Sequence, residues 1–233
     1  MPYNAEIFGA TIVFVGSFNP AIVTPDWLER TQLIGPADAE VARASTNLLT
    51  SRQVALMETE WFSMQVLENQ FTLNSKGALS LAFRDLAVGI CTLVPHTPIT
   101  ALGMNFSGHF KMPSTDAYHK IGDTLAPKTV WHELLNLEMQ SIGLTDLSMR
   151  IQPFKRENRS DSKDAVNIQV QPSGKIEPGI FLLWNDHREM FAKEDKGKHA
   201  KAESVGKIVG AEWESSWEQA AGFFSALLDK AAA

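Results

Sequence analysis

One stretch of the chain, HTPITALGMNFSGHF (96–110), places His96, Asn105 and His109 among apolar residues. Histidine is the commonest general acid or base, and asparagine supplies neutral hydrogen-bonding groups. On a strand, Asn105 and His109 would share a face but lie about 13 Å apart, so they cannot form a catalytic pair. Two prolines fix an extended connection around His96. We therefore treat these three residues as candidates for binding rather than as an assembled catalytic site.

A second stretch, WNDHRE (184–189), is the densest polar cluster in the chain. Asp186, His187 and Glu189 could supply acid–base groups, and Asn185 adds an amide. The same residue types also suit a strand that turns into a loop, and we predict such a strand end here. We keep Asn185, Asp186, His187 and Glu189 as candidate binding residues, with the catalytic alternative left open.

Motifs for metals and phosphates are missing or incomplete. WHELLN begins like the zinc motif H-E-x-x-H, but Asn136 stands where the second histidine ligand is needed. No glycine-rich phosphate loop and no G-x-S-x-G elbow occur. The single cysteine, Cys91, lies in an apolar helical run, which is typical of a core residue. We predict neither a metal site nor a cofactor.

The polar candidates of the first stretch must be positioned by a strand over 99–112. Alternate residues are apolar there and predict a core face, whereas Asn105, Ser107, His109 and Lys111 predict a wetter face. We expect the core face to consist of Leu102, Met104, Phe106, Phe110 and Met112.

The other elements indicate an α+β protein. Strands are predicted over 10–18, 53–58, 61–67, 71–75, 147–153, 165–171 and 179–187. Amphipathic helices are predicted over 79–93, over 114–126 and at the C-terminus. We expect a mostly antiparallel sheet with helices packed on it. We also expect two similar α+β halves, 1–112 and 113–233, closely packed as one unit.

Composition excludes some classes of partner. The net charge of −6 and the pI of about 5.5 argue against non-specific nucleic-acid binding, which needs a basic face. The N-terminus lacks the basic region of a signal peptide, and no apolar segment is long enough to span a bilayer. The sequence therefore predicts a soluble cytoplasmic protein without a membrane partner.

Aromatic residues are abundant near the C-terminus, where Trp213, Trp217, Phe223 and Phe224 follow one another along a helix. Exposed aromatic residues are favoured anchors in protein interfaces. We therefore predict self-association or a protein partner, with a wide core face on that helix as the alternative.

Six motifs spread over nearly the whole chain carry a resemblance. They are FNPAI (18–22), PDWL (25–28), ETEW (58–61), HTPITALGMN (96–105), GDTLAPK (122–128) and PGIFLLWNDH (178–187). The set resembles a sporadically distributed family of uncharacterised, conserved hypothetical bacterial proteins. The resemblance implies a bacterial or phage-related origin, and it transfers no activity, ligand or catalytic residue.

Three functional hypotheses follow from the sequence. The first is a non-catalytic binding or assembly protein, such as an accessory subunit of a bacterial complex. The second is a hydrolase with a His/Asp/Glu site. The third is a small-ligand-binding protein with a pocket between sheet and helix.

Overall fold

A computed structural model of the chain describes residues 4–77, 80–136, 138, 141–154, 164–190 and 199–232. The strands are β1 (Ala5–Gly16), β2 (Leu49–Thr50), β3 (Val54–Glu58), β4 (Phe62–Leu67), β5 (Gln70–Ser75), β6 (Pro98–Lys111), β7 (Leu147–Ile151), β8 (Ala165–Pro172), β9 (Gly179–Glu189) and β10 (Ala200–Lys201). The helices are α1 (Pro25–Arg30), α2 (Pro36–Ala44), α3 (Leu81–Leu93), α4 (Thr115–Leu125), α5 (Thr129–Leu135) and α6 (Ala202–Ala232). None of these helices is both long and apolar enough to cross a membrane.

All ten strands belong to one sheet, ordered β2–β3–β4–β5–β1–β6–β9–β8–β7, with β10 paired to β6. Every pairing is antiparallel. The long strands β1 and β6 form the centre, in continuous register from Ile7 opposite His109 to Val15 opposite Ala101, with a register shift at each end. The predicted α+β class with a mostly antiparallel sheet is therefore confirmed.

The order of elements repeats, although the sequence does not. Apart from the short β2 and β10, each run consists of a long strand, two helices, a three-stranded meander and a helix. The first run begins with β1 and the second with β6. The finer division into units 1–112 and 113–233 stays a prediction.

The core lies between one face of the sheet and the helices α3 and α6. The Trp213 ring of α6 lies 5.7 Å from that of Phe83 and 4.9 Å from that of Phe106, measured between centroids. The Trp217 ring packs 4.2 Å from Phe8 and 5.7 Å from Phe106. Aromatic side chains of two helices and two central strands thus form a continuous cluster.

The remaining aromatic residues of α6 also pack on the sheet. Phe223 contacts Trp184 at 5.2 Å between ring centroids, and Phe224 contacts Phe110 at 5.8 Å. The wide core face is therefore the alternative that the packing supports. These aromatic residues of α6 therefore do not supply a surface for self-association.

Helix α3 follows its predicted stripe with one correction. Phe83, Leu86 and Ile90 are buried. Leu93, which the spacing of three and four residues in the predicted helix 79–93 places on their face, ends the helix and is exposed. Cys91 is buried, and burial raises the pKa of its thiol to about 12. Such a thiol is protonated at neutral pH, which agrees with its predicted core role.

Candidate functional site

The helices pack on one face of the sheet, and we call the other face the open face. Along β6, buried Leu102, Met104 and Phe106 alternate with half-buried Gly103 and Asn105. The aromatic rings of α6 that contact β6 do so through Phe106 and Phe110, which are on the buried side of the strand. The wetter face predicted for this strand is therefore confirmed as a half-buried face.

One row of polar residues crosses the open face, with one residue from each of eight neighbouring strands in register. We call it the polar row. From β3 to β7 it consists of Glu58, Ser63, Asn74, Thr11, Asn105, Asn185, Asn167 and Arg150. At about 4.8 Å between neighbouring strands, the row is about 34 Å long. Six of its members are neutral, with an acid at one end and a base at the other.

Hydrogen bonds link the row within the first run of elements. The Thr11 hydroxyl donates to Oδ1 of Asn74 over 2.9 Å, and Nδ2 of Asn74 lies 3.4 Å from Oγ of Ser63. These bonds join β1, β5 and β4 through their side chains as well as through their backbones.

A similar chain of bonds runs through the second run of elements. Nδ2 of Asn185 donates to Oδ1 of Asn105 over 2.9 Å, and Nδ2 of Asn167 donates to Oδ1 of Asn185 over 2.9 Å. Arg150 Nη1 lies 3.5 Å from Oδ1 of Asn167. Each amide therefore has a fixed orientation, with its donors and acceptors arranged in sequence.

The two chains of bonds do not meet at the centre of the sheet. Thr11 lies opposite Asn105, but no side-chain hydrogen bond joins them in the described part of the chain. Gly9 and Gly103 leave two of the four neighbouring positions on the open face without a side chain, and Ser107 and Val13 occupy the other two. A Cβ on Gly9 would lie 3.0 Å from Oγ of Ser107. The centre is consequently shallow, and a partner's backbone could approach it closely.

The acidic end of the row is held by three neighbours. Lys76 contacts Glu58 at 2.7 Å, Asn47 donates to it over 2.8 Å and Ser45 over 3.2 Å. The hydrogen bond from Lys76, followed by those from Asn47 and Ser45, lowers the pKa of Glu58. Glu58 is therefore a charged and anchored terminus of the row.

His109 lies on the open face and contacts a serine that sequence reasoning missed. Its Nδ1 is 2.8 Å from Oγ of Ser173, and burial followed by the charge of Lys175 lowers the pKa of the imidazole. Ser173 Oγ also accepts the backbone N–H groups of Lys175 and Ile176 over 3.1 and 3.0 Å. A serine oxygen that accepts two N–H groups stabilises a turn, and the hydroxyl of Ser173 also lies within hydrogen-bonding distance of the imidazole.

The other predicted site residues do not converge. His96 is exposed in the connection between α3 and β6, thirteen residues from His109 and about 40 Å away along an extended strand. Asn185, His187 and Glu189 lie on the open face, whereas Asp186 points to the helix-covered face and is buried. The strand predicted over 179–187 continues to Glu189, two residues beyond its predicted end. Because successive residues of a strand point to opposite faces, Asp186 is separated from His187 and Glu189.

Asp186 belongs to a buried ion cluster centred on Arg188. Nη2 of Arg188 contacts Asp186 at 2.9 Å and Oγ of Ser216 at 2.8 Å, and Nη1 contacts Glu212. Burial alone would lower the pKa of Arg188, but Asp186 and Glu212 raise it above its usual value. Both Glu212 and Ser216 lie on α6, so the cluster attaches that helix to β9. Arg188 lies an even number of residues from the apolar residues Leu182 and Trp184. This alternation could have identified Arg188 from the sequence as a residue on the buried face of the strand.

The described residues contain no cluster of three or more His, Cys, Asp or Glu side chains arranged to hold a metal ion. A cavity of about 290 Å³ lies beside α4, lined by residues that include Tyr118, His119 and the Asp123–Lys128 ion pair. Its volume is at the lower limit for small-ligand pockets. None of the predicted site residues lines it.

Comparison with protein-family models gave no match, and a search of curated proteins found no similar sequence.

Proposed function

We propose that the protein is a non-catalytic binding or assembly protein whose open sheet face docks a protein partner, as an accessory part of a bacterial complex in the cytoplasm. The observation that carries the proposal is the polar row. A polar row across eight strands exceeds what a solvent-exposed sheet face requires, because scattered charged residues would make such a face equally soluble.

Residue types in the row support a functional reading. Asparagine is depleted in strands, yet Asn74, Asn105, Asn167 and Asn185 occupy strand positions in the middle of this sheet. Positions that break local rules without a stability gain are concentrated at functional sites. Oriented side-chain amides can bind neutral polar groups of a partner, including backbone N–H and C=O groups.

The chemistry of the face favours protein over nucleic acid. A nucleic-acid surface needs clustered bases and, for single strands, aromatic side chains on which bases stack. The polar row contains a single base, Arg150, balanced by Glu58 at its other end, and no aromatic residue. The net charge of −6 adds to this preference.

Affinity capture with a matched pair of variants tests the proposal. Asn105→Arg places a long charged side chain at the centre of the row, whereas Gln219→Arg makes a similar change at an exposed position of α6. Captured from the native host and quantified by mass spectrometry, the wild type and Gln219→Arg should recover the same partner. Asn105→Arg should recover about tenfold less, since a central contact dominates an interface.

Thermal unfolding of both variants provides the folding control for this capture. Equal recovery by a folded Asn105→Arg protein, or no specific protein recovered by the wild type, would contradict the proposal.

A hydrolase is the second candidate, and the contact between Ser173 and His109 is the observation that favours it. A neutral imidazole within hydrogen-bonding distance of a serine hydroxyl is the arrangement of a nucleophile and its base. A fluorophosphonate probe should then label Ser173 in the wild type and fail to label it in His109→Asn. No labelling of a folded wild type would eliminate this candidate.

A further inference from the structure

The two ends of the sheet are built differently. At one end the edge strand is β2, with only two residues. At the other end β7 has five residues, and in the described part of the chain it pairs with β8 alone. Short edge strands are a common protection against pairing with another chain, and β7 lacks that protection.

Apolar side chains of β7 remain exposed on the helix side of the sheet. Met149 is 56% exposed and Ile151 is 42% exposed, although they lie opposite the buried residues Ile168 and Val166 of β8. On this side of the sheet the residues of β8 are therefore buried, whereas those of the neighbouring edge strand β7 are exposed. An exposed, apolar edge strand with free backbone groups is a site for strand addition.

The open-face side of the same edge carries two opposite charges. Asp146 accepts hydrogen bonds from Gln169 over 2.6 Å, from Ser148 over 2.9 Å and from Gln171. Arg150 bonds to Gln152 over 3.1 Å and approaches Asn167 at 3.5 Å. Neither charge forms an ion pair within the described part of the chain.

We infer that β7 pairs antiparallel with β7 of a second copy of this chain, about a two-fold axis at Ser148. In this register Asp146 of each copy lies opposite Arg150 of the other, and Leu147 lies opposite Met149. Opposite charges and apolar pairs directly across an antiparallel pair both stabilise it. A shifted register with Arg150 of one copy opposite Arg150 of the other would place two like charges together. The charges therefore favour the register centred on Ser148.

The self-complementary pattern is what identifies a second copy as the occupant. A two-fold interface requires one surface patch to match itself, and the segment from Asp146 to Arg150 does so in both charge and apolar character. The inference is independent of the proposed function, because it concerns the sheet edge rather than the centre of the open face. Pairing would also extend the open face from one copy into the next.

The expected dimer is weak. A pair of five-residue strands buries less surface than a standard protein interface, so a dissociation constant in the micromolar range or above is expected. Sedimentation equilibrium over a concentration series is therefore the suitable measurement.

Two sets of variants test the edge. Met149→Lys should raise the dimer dissociation constant by about tenfold or more, because it buries a charge against an apolar partner. Leu49→Lys is the matched control, since Leu49 is 46% exposed on the opposite edge strand β2 and should leave association unchanged.

The charge pair gives the sharper test. Asp146→Lys and Arg150→Glu should each weaken the dimer, and the double variant with both changes should restore it, because the opposite charges again face each other. Circular dichroism and urea unfolding check that each variant is folded. A wild type that stays monomeric throughout the series would overturn the inference. A dimer that Met149→Lys leaves intact, or one that the charge reversal does not restore, would overturn it as well.

Discussion

Asp186 and Asn185 are neighbours in the sequence, yet they serve different parts of the molecule. Asn185 joins the polar row on the open face, whereas Asp186 is buried beneath α6 with Arg188. Residue types alone grouped Asp186 with His187 and Glu189 as one cluster. The period of two in a strand separates them, and that period follows from the strand that the sequence predicts over 179–187.

Arg188 allows a quantitative prediction. Removing its charge in Arg188→Met removes the ion pair between Arg188 and buried Asp186, which should lower the free energy of unfolding by about 3–5 kcal/mol. The double variant Asp186→Leu with Arg188→Met removes both buried charges and should be less destabilised than Arg188→Met alone. Urea denaturation measures both.

The control for this pair is Lys207→Met, which removes an exposed ion pair with Glu203 and should cost less than about 1 kcal/mol. A double variant as unstable as Arg188→Met would show that packing, rather than the lost ion pair, dominates the decrease in stability.

His109 predicts a pH effect on stability. Burial and Lys175 lower the pKa of His109 in the folded protein, so the unfolded chain binds the proton more readily. Stability from this residue is therefore present at neutral pH and is lost as pH falls through the ordinary histidine pKa of about 6.5. His109→Asn retains an acceptor for Ser173 but cannot titrate, so it should lose less stability than the wild type between about pH 7.5 and pH 5.5. Equal losses in urea unfolding at the two pH values would contradict this.

At the scale of elements, regular patterns were predictable and close contacts were not. Alternation in 99–112 and 165–171 predicted β6 and β8. The pairing of β1 with β6 joins residues about ninety positions apart, and a local pattern holds no information on such a partner. For this reason the sequence identified some members of the polar row, such as Asn105 and Asn185, as candidates. It could not predict that the eight residues lie side by side on neighbouring strands.

The contact between α3 and α6 depends on a glycine. A Cβ added to Gly206 would lie 2.7 Å from Cβ of Cys91, whereas one added to Gly222 would meet nothing within 4 Å. We expect Gly206→Ala to destabilise the protein by about 1–3 kcal/mol, because the helices would have to move apart. Gly222→Ala should instead stabilise it by about 0.5–1 kcal/mol through helix propensity. Chemical denaturation compares the two, and a stabilised Gly206→Ala protein would show that α3 and α6 are not packed this closely.

At the scale of the whole molecule, the described helices that pack on the sheet cover one of its faces. The other face, the open face, is broad and carries no helix in the described part of the chain. The repeated order of elements sets β1 beside β6 at the centre, and each run contributes four strands to the polar row. The core thus occupies one side of the sheet, while the neutral, oriented amides occupy the other. This division of the sheet into a packed face and a polar face is the structural basis for proposing a binding protein.

Site-specific photo-cross-linking in the native host tests that proposal most directly. A photoreactive amino acid at Ser107 samples the centre of the open face, and one at Glu218 samples the exposed side of α6. The account predicts that Ser107 cross-links to one defined protein and that Glu218 does not. Cross-links from Glu218 alone, with none from Ser107 in a folded protein, would contradict the open face as the binding surface.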